Sequence, residues 1–222
     1  MNDEIQQNVS RTGTVNVGII CKEGIVLAAD KRVSLGSGQG VAYVGGKIKK
    51  VVEVNDNLIL SMAGTVSDSL RNVALLRAEL RIKELRTKRR VLVHEAASLT
   101  ANMLFQNIRT PSMIPSISHF LVAGRDDIGI HLFDISPDGY LKEVTECVST
   151  GSGMFQADPI LDSEYKKGMS VEDGIALAVK CIKASTSRDP GVGEGMDVYV
   201  VRKDSIEQVI DKRTVYDYKD FK

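Results

Sequence analysis

The sequence predicts an α+β fold in four layers, with two antiparallel sheets face to face and helices over both outer faces. Three observations carry this. Short apolar runs separated by turn residues fill residues 17–62, then 119–148, then 196–210. Two long stretches with helical spacing follow each of the first two groups of runs. The order is therefore strands, two helices, strands, two helices, strands. Helices grouped in this way suit stacked antiparallel sheets, an αββα sandwich, better than a parallel sheet with alternating crossovers.

Each element has its own signal. Residues 17–20 and 25–29 are apolar runs around Lys22, Glu23 and Gly24, a hairpin pattern. Residues 35–46 read as a loop, with five glycines and one serine in twelve positions. Residues 49–54 and 58–62 form a second strand pair joined at Asn55, Asp56 and Asn57. Ser67 and Asp68 offer N-caps to a helix whose Leu70, Val73, Leu76 and Leu80 share one face. It ends in a basic run, residues 86–90, which favours the helix macrodipole and reads as a solvated end. A second helix covers residues 94–108, with Ala97, Thr100, Met103 and Leu104 on one side, and Pro111 and Pro115 close that half.

In the second half, residues 119–123, 129–135 and 144–148 read as strands, with Pro137, Asp138 and Gly139 turning between the latter two. Helices follow at 155–167 and 171–187, the latter capped by Ser170, and strands at 196–201 and 206–210 complete the order. No linker divides residues 14–222, which read as one domain. Residues 1–13, MNDEIQQNVSRTG, are polar and carry no apolar core, so they read as a short disordered leader and not a secretory signal.

Composition excludes several classes. The chain has 222 residues and a mass of 24.2 kDa, enough to bury a core without disulfides or metal. Twenty-nine basic and 29 acidic residues cancel, which removes the signature of a nucleic-acid binder. No apolar stretch reaches the ~20 residues that a membrane-spanning helix needs. Cys21, Cys147 and Cys181, with His94, His119 and His131, are scattered in no metal-like spacing. No metal or cofactor is expected, and buried thiols in a reducing cytoplasm are the simplest reading of the cysteines.

No nucleophile elbow, P-loop or dinucleotide fingerprint is present, so any chemistry must come from residues spread along the chain. Thr14 stands between the leader and the first strand, directly after Gly13. From Gly13 onward, GTVNVGIICKEGIVLAADKRVSLG resembles the start of the mature β-type subunits of the proteasome. Those have a Gly-Thr bond, an apolar strand, a Lys-(Asp/Glu)-Gly turn, a second apolar strand and an Asp/Glu-x-Arg motif. Four later segments match in order: the Lys49-Lys50 strand, Ala63-Gly64-Thr-Val-Ser-Asp68, Ser149-Thr-Gly-Ser-Gly153 and Ser187-Arg-Asp189. The α-type subunits fit less well, because their extra N-terminal helix has no counterpart here.

The resemblance implies an N-terminal-nucleophile fold and a threonine peptidase. A threonine hydroxyl needs a base beside it, and a free amine on the same residue supplies one. That amine exists only after the Gly13–Thr14 bond breaks, so Gly13 and Thr14 are the processing residues and the leader is a removable cap. By the same resemblance, Lys50 favours the alkoxide-like state with Asp30 as its ion partner. Gly64 directs its N–H at the developing oxyanion. Ser152 and Asp189 orient the amine. Ser34 and Val66 bind an extended peptide as an added strand, and Val33, Ile48, Met62 and Val66 line an apolar pocket for the residue before the scissile bond.

The implied partners are other β-subunits in a seven-membered ring, α-subunit rings, unfolded polypeptide substrates and, indirectly, a regulatory ATPase, all cytoplasmic. Nucleic acid and membrane are not among them. The chain departs from the family pattern at three places. Val15 and Asn16 replace hydroxyl-bearing residues after Thr14. Val192 replaces a serine three residues after Asp189. Residues 190–195, PGVGEG, are richer in glycine and carry an extra carboxylate, Glu194. A weakly active or structural β-subunit beside a catalytic sister is the second reading these departures allow.

Overall fold

Strand alternation sorts the apolar side chains into three layers. The computed structural model describes residues 10–36 and 42–214. In chain order its elements are β1 (Ser10–Thr12), β2 (Asn16–Cys21), β3 (Gly24–Asp30), β4 (Arg32–Gly36), β5 (Ala42–Lys47), β6 (Val51–Asn55) and β7 (Leu58–Thr65). Then come α1 (Val66–Thr87), α2 (Val93–Arg109), β8 (Ser118–Arg125), β9 (Ile130–Ile135), β10 (Leu141–Glu143) and β11 (Cys147–Thr150). The last are α3 (Met154–Glu164), α4 (Val171–Arg188), β12 (Gly195–Val201) and β13 (Ile206–Arg213).

One sheet runs β10-β9-β8-β7-β1-β4-β5, with β6 also paired to β7; the other runs β11-β2-β3-β12-β13. Every described pairing is antiparallel. In β3 every residue is buried, because its two faces meet different layers. Ile25, Leu27 and Ala29 point between the sheets and meet Val51, Ile59, Leu121, Ala123, Tyr199 and Val201. Val26 and Ala28 point the other way, into a layer with Leu177, Ala178, Cys181 and Ile182 of α4. On the opposite side, Leu58, Leu60 and Met62 of β7 face Val73, Leu76 and Leu80 of α1 and Ala97 and Leu104 of α2. The expected αββα sandwich is thus the observed fold.

Four local expectations are corrected. Residues 35–46 do not form one loop: they contribute the end of β4 and most of β5, paired in register Leu35–Tyr43 and Ser34–Val44. Main-chain hydrogen bonds serve a glycine-rich ribbon as well as any other. Residues 144–148 are not one strand. Leu141–Glu143 belongs to the first sheet and Cys147–Thr150 to the second, so this β-branched run straddles the crossing between them. Ser67 and Asp68 lie inside the first turn of α1; the helix begins at Val66, its N-cap is Thr65, and no side chain caps it. Leu70 faces outward, and Ser69 takes its place on the buried stripe with Asn72, Val73, Leu76 and Leu80.

The leader also differs from its expected disorder, because Ser10–Thr12 is a strand; residues 1–9 lie outside the described part. Ser170 caps α4 as expected, its hydroxyl accepting from Asp173 N–H at 3.1 Å. Among the described residues no helix is long and apolar enough to cross a membrane. Burial raises the thiols of Cys21 and Cys147 to about 11 and that of Cys181 to about 12.

Candidate active site

Strands of both sheets start or stop close to Thr14 and bring distant residues together. Thr14 precedes β2, Asp30 ends β3 and Lys50 precedes β6, so one sheet supplies the hydroxyl and the carboxylate and the other the ammonium. All three side chains are fully buried. Lys50 Nζ donates to Thr14 Oγ1 at 2.9 Å, to Asp30 Oδ1 at 2.8 Å and to the Gly13 carbonyl oxygen at 2.7 Å. Three ammonium protons thus meet three acceptors.

Four donors converge on Asp30. Oδ1 accepts from Lys50 and from Val15 N–H at 3.1 Å, and Oδ2 accepts from Arg32 N–H at 3.0 Å and Gly193 N–H at 2.9 Å. Burial pushes the Lys50 ammonium below the ordinary lysine range, against the attraction of Asp30. Burial likewise pushes Asp30 up, against Lys50 and the N–H groups of Gly193 and Val15. A protonated Asp30 would aim a hydrogen at one of its four donors, so this arrangement fits an ionic pair. A lone buried charge costs on the order of several kcal/mol, so each residue needs the other to stay buried.

Ser152 and Asp189 come from opposite ends of the helical pair α3 and α4. The Thr14 N–H donates to Ser152 Oγ at 3.2 Å, and that hydroxyl donates to Asp189 Oδ2 at 2.5 Å. Asp189 Oδ1 accepts from Gly191 N–H at 2.8 Å. Gly13 is packed so closely that a Cβ there would lie 2.3 Å from Gly191 Cα. A glycine before Thr14 is therefore demanded by the loop above it.

Gly64 has φ +108°, and a Cβ there would lie 2.2 Å from Ile117 O, so only glycine fits. It pairs with Ser118 on one edge and Thr12 on the other. The leader strand β1 lies between β7 and β4, with Arg11 opposite Thr65 on one side and Ser34 on the other. The strand-pairing positions on the β7 side are thus Gly64 and Thr65. Val66, expected there, begins α1 and is half-buried.

Met62 and Ile48 reach the same apolar layer under the helices. Val33 lies half-buried in β4 opposite Gly46. Val15 and Val192, the apolar residues at two of the three departures, are both fully buried and share the layer between the second sheet and its helices. Val192 N–H donates to Asp189 O at 3.1 Å, while its side chain lies in that apolar layer.

Several neighbours escaped the sequence reading. Gly153 N–H donates to Thr14 O at 3.0 Å, and a Cβ on Gly151 would lie 2.2 Å from the same oxygen. Arg32 Nη1 donates to Pro190 O at 2.7 Å, holding the loop that carries Gly191 and Gly193. Their signal was the clustering of glycines at 151–153 and 191–195, which marks close backbone approach.

Comparison with known proteins identifies the family. The family model described as Proteasome subunit matches residues 10–201. A proteasome subunit beta of Methanopyrus kandleri is 33% identical over 192 residues, covering 86% of this chain and 88% of the relative. Proteasome subunit beta 1 of Thermococcus onnurineus is 36% identical over 197 residues, covering 89% and 92%. Proteasome subunit beta 2 of Pyrococcus furiosus is 38% identical over 196 residues, covering 88% and 90%. The fold, the constellation around Thr14 and these relatives lead to one conclusion: the chain belongs to the proteasome subunit family, among its β-type members.

Proposed function

We propose that this chain is a threonine-type endopeptidase that frees its own nucleophile by cleaving Gly13–Thr14 and then hydrolyses peptide bonds of unfolded polypeptides. The carrying observation is the placement of Lys50 Nζ within hydrogen-bond distance of both Thr14 Oγ1 and the Gly13 carbonyl oxygen. One ammonium thereby stabilises the attacking oxygen and polarises the carbonyl that it attacks. Attack forms a bond from Thr14 Oγ1 to the Gly13 carbonyl carbon. The amide bond to Thr14 N then breaks, and the proton given up by the attacking Thr14 hydroxyl is delivered to that nitrogen by way of Ser152, so the N-to-O transfer neither gains nor loses a proton. Water hydrolyses the resulting ester, leaving a leader carboxylate and a free Thr14 amine that serves as base in later cycles.

Leader residues Ser10–Thr12 would act as the first substrate, held as a strand by β4 and β7, with Gly64 N–H serving the oxyanion. Val33, Ile48, Met62 and Val66 would give an apolar pocket. The subunit would work within a seven-membered β ring stacked on α-subunit rings in the cytoplasm, served by a regulatory ATPase and needing no cofactor. Mass measurement of the assembled chain tests the reading: loss of residues 1–13 and its abolition in Thr14→Ala are expected. Removal of the leader from Thr14→Ala at the parent rate would overturn it.

A second reading, a structural β-subunit that cuts little and relies on a catalytic sister, is favoured by one observation. Val15 and Val192 fill with apolar side chains the positions where the family pattern has hydroxyls. A full-length Thr14-bearing chain recovered from mature particles would decide for it.

A further inference from the structure

Residues 190–195 carry the main-chain groups that organise the site: Gly193 N–H on Asp30, Gly191 N–H on Asp189, and Gly191 Cα against Gly13. A stretch with three glycines in six residues has no intrinsic reason to hold one conformation. The fastening is at Glu194. Its carboxylate is almost wholly buried, with Oε2 2.9 Å from Lys47 Nζ and Oε1 3.5 Å from Arg32 Nη2. Lys47 ends β5 and Arg32 begins β4, so the two cations come from adjacent strands of the first sheet. Arg32 also grips Pro190 O, and a Cβ on Gly193 would lie 2.8 Å from its guanidinium.

Glu194 has φ 62°, a left-handed conformation that glycine or asparagine adopts far more readily. A glutamate in that position, between two glycines, points to a task for its carboxylate. We propose that Glu194 is a positioning residue: its ion pairs to Lys47 and Arg32 latch residues 190–195 over Thr14. The latch keeps the Gly193 and Gly191 N–H groups on Asp30 and Asp189. Val192 anchors the same loop in the apolar layer.

The catalytic side of this inference rests on the peptidase reading; the latch itself does not. Amide hydrogen exchange and turnover on an extended peptide are measured in the full chain for the parent, Glu194→Gln and Glu194→Gly. Glycine relieves the left-handed conformation but removes the carboxylate, so it separates the latch from backbone strain. Both variants should speed exchange at Gly191 and Gly193 at least tenfold. They should lower kcat at least fivefold, with KM within twofold and the thermal midpoint within a few degrees. Glu194→Asp, which keeps the charge, should recover part of the loss. Exchange unchanged in either variant would overturn the latch, as would a Glu194→Gly chain with parental turnover. Faster exchange with undiminished kcat would overturn the positioning role. If the parent itself keeps its leader, the peptidase reading falls, and exchange alone decides the latch.

Discussion

Thr14 and Asp189 are joined through a single hydroxyl: the Thr14 N–H donates to Ser152 Oγ, which donates to Asp189. In the proposed cleavage, the nitrogen of the Gly13–Thr14 bond thus already faces a group that can deliver a proton to it. Ser152→Ala removes that path and leaves the Lys50 contacts in place. Leader removal should slow by about tenfold to a hundredfold, since one positioned hydrogen bond of ~1.5–3 kcal/mol is lost. Time courses of precursor mass for Ser152→Ala and Thr14→Ala, side by side, check this; an unslowed Ser152→Ala would remove Ser152 from the mechanism.

Lys50 makes three contacts from a fully buried position, and its loss strands Asp30. Lys50→Ala should abolish leader removal. It should also destabilise the fold by about 3–5 kcal/mol, the usual cost of breaking a buried pair from one side. Lys50→Arg should not restore cleavage, because a planar fork cannot meet three acceptors arranged around a point charge. Thermal unfolding and precursor mass should be followed together. Near-parental processing in Lys50→Arg would contradict the assignment.

The family pattern suggests that Val192→Ser would restore a missing hydroxyl and raise the rate about tenfold. The structure predicts otherwise. Val192 is enclosed with Val15, Val17 and Val198. A serine there loses buried methyl groups and gains an ill-matched hydroxyl, costing about 1–3 kcal/mol. No increase in leader removal is expected, together with a lower thermal midpoint; a tenfold gain would show that the loop can turn residue 192 toward Thr14.

Glu95 gives a prediction in pH. The Arg89 guanidinium beside it, helped by Leu92 N–H and Lys83, holds its carboxyl down at about 2 from an ordinary 4.5. The folded value lies below the unfolded one, so this contribution is complete above pH 4.5 and lost as pH falls toward 2. The cluster is partly exposed, so salt should weaken it. The difference in thermal midpoint between the parent and Glu95→Gln should shrink across that window and be smaller in 1 M salt. A difference that stays constant with pH would disprove the linkage.

The three cysteines, held at about 11 to 12 by burial, should resist thiol reagents at neutral pH in the folded chain and react once it is unfolded. Mass spectrometry after brief alkylation reads this directly, and rapid labelling of native Cys181 would contradict its burial.

Element order was legible because β3 and β8 carry unbroken apolar runs, and α1, α2 and α4 carry apolar stripes. What misled was local. Glycine count made a loop of residues 35–46, though a ribbon needs only its main chain to pair. The run 144–148 looked like one strand because β-propensity does not register a change of sheet. Leu70 was placed one residue off its face, since Ser69 and Asn72 are buried among polar partners, with Ser69 bonded to Ser118 at 3.1 Å. At the site, no periodicity could link Thr14, Asp30, Lys50, Ser152 and Asp189, which meet only because five elements, β2, β3, β6, α3 and α4, begin or end beside them. Their grouping came from resemblance to a family. Glu194 and the glycines around it were noticed as a departure, and only the folded geometry shows what they touch.

The β1 strand is bonded along both edges, to β4 and to β7, and among the described residues it alone carries the ladder from β7 to the β4–β5 ribbon. Its departure would leave a slot one strand wide, walled by two rows of main-chain donors and acceptors. Such a slot rewards any segment that can lie extended with both of its edges unpaired. A strand within a folded protein has already spent those groups on its neighbours, and a proline lacks one of them. Selection for unfolded chains over folded ones would then follow from hydrogen-bond stoichiometry alone, before any side chain is read.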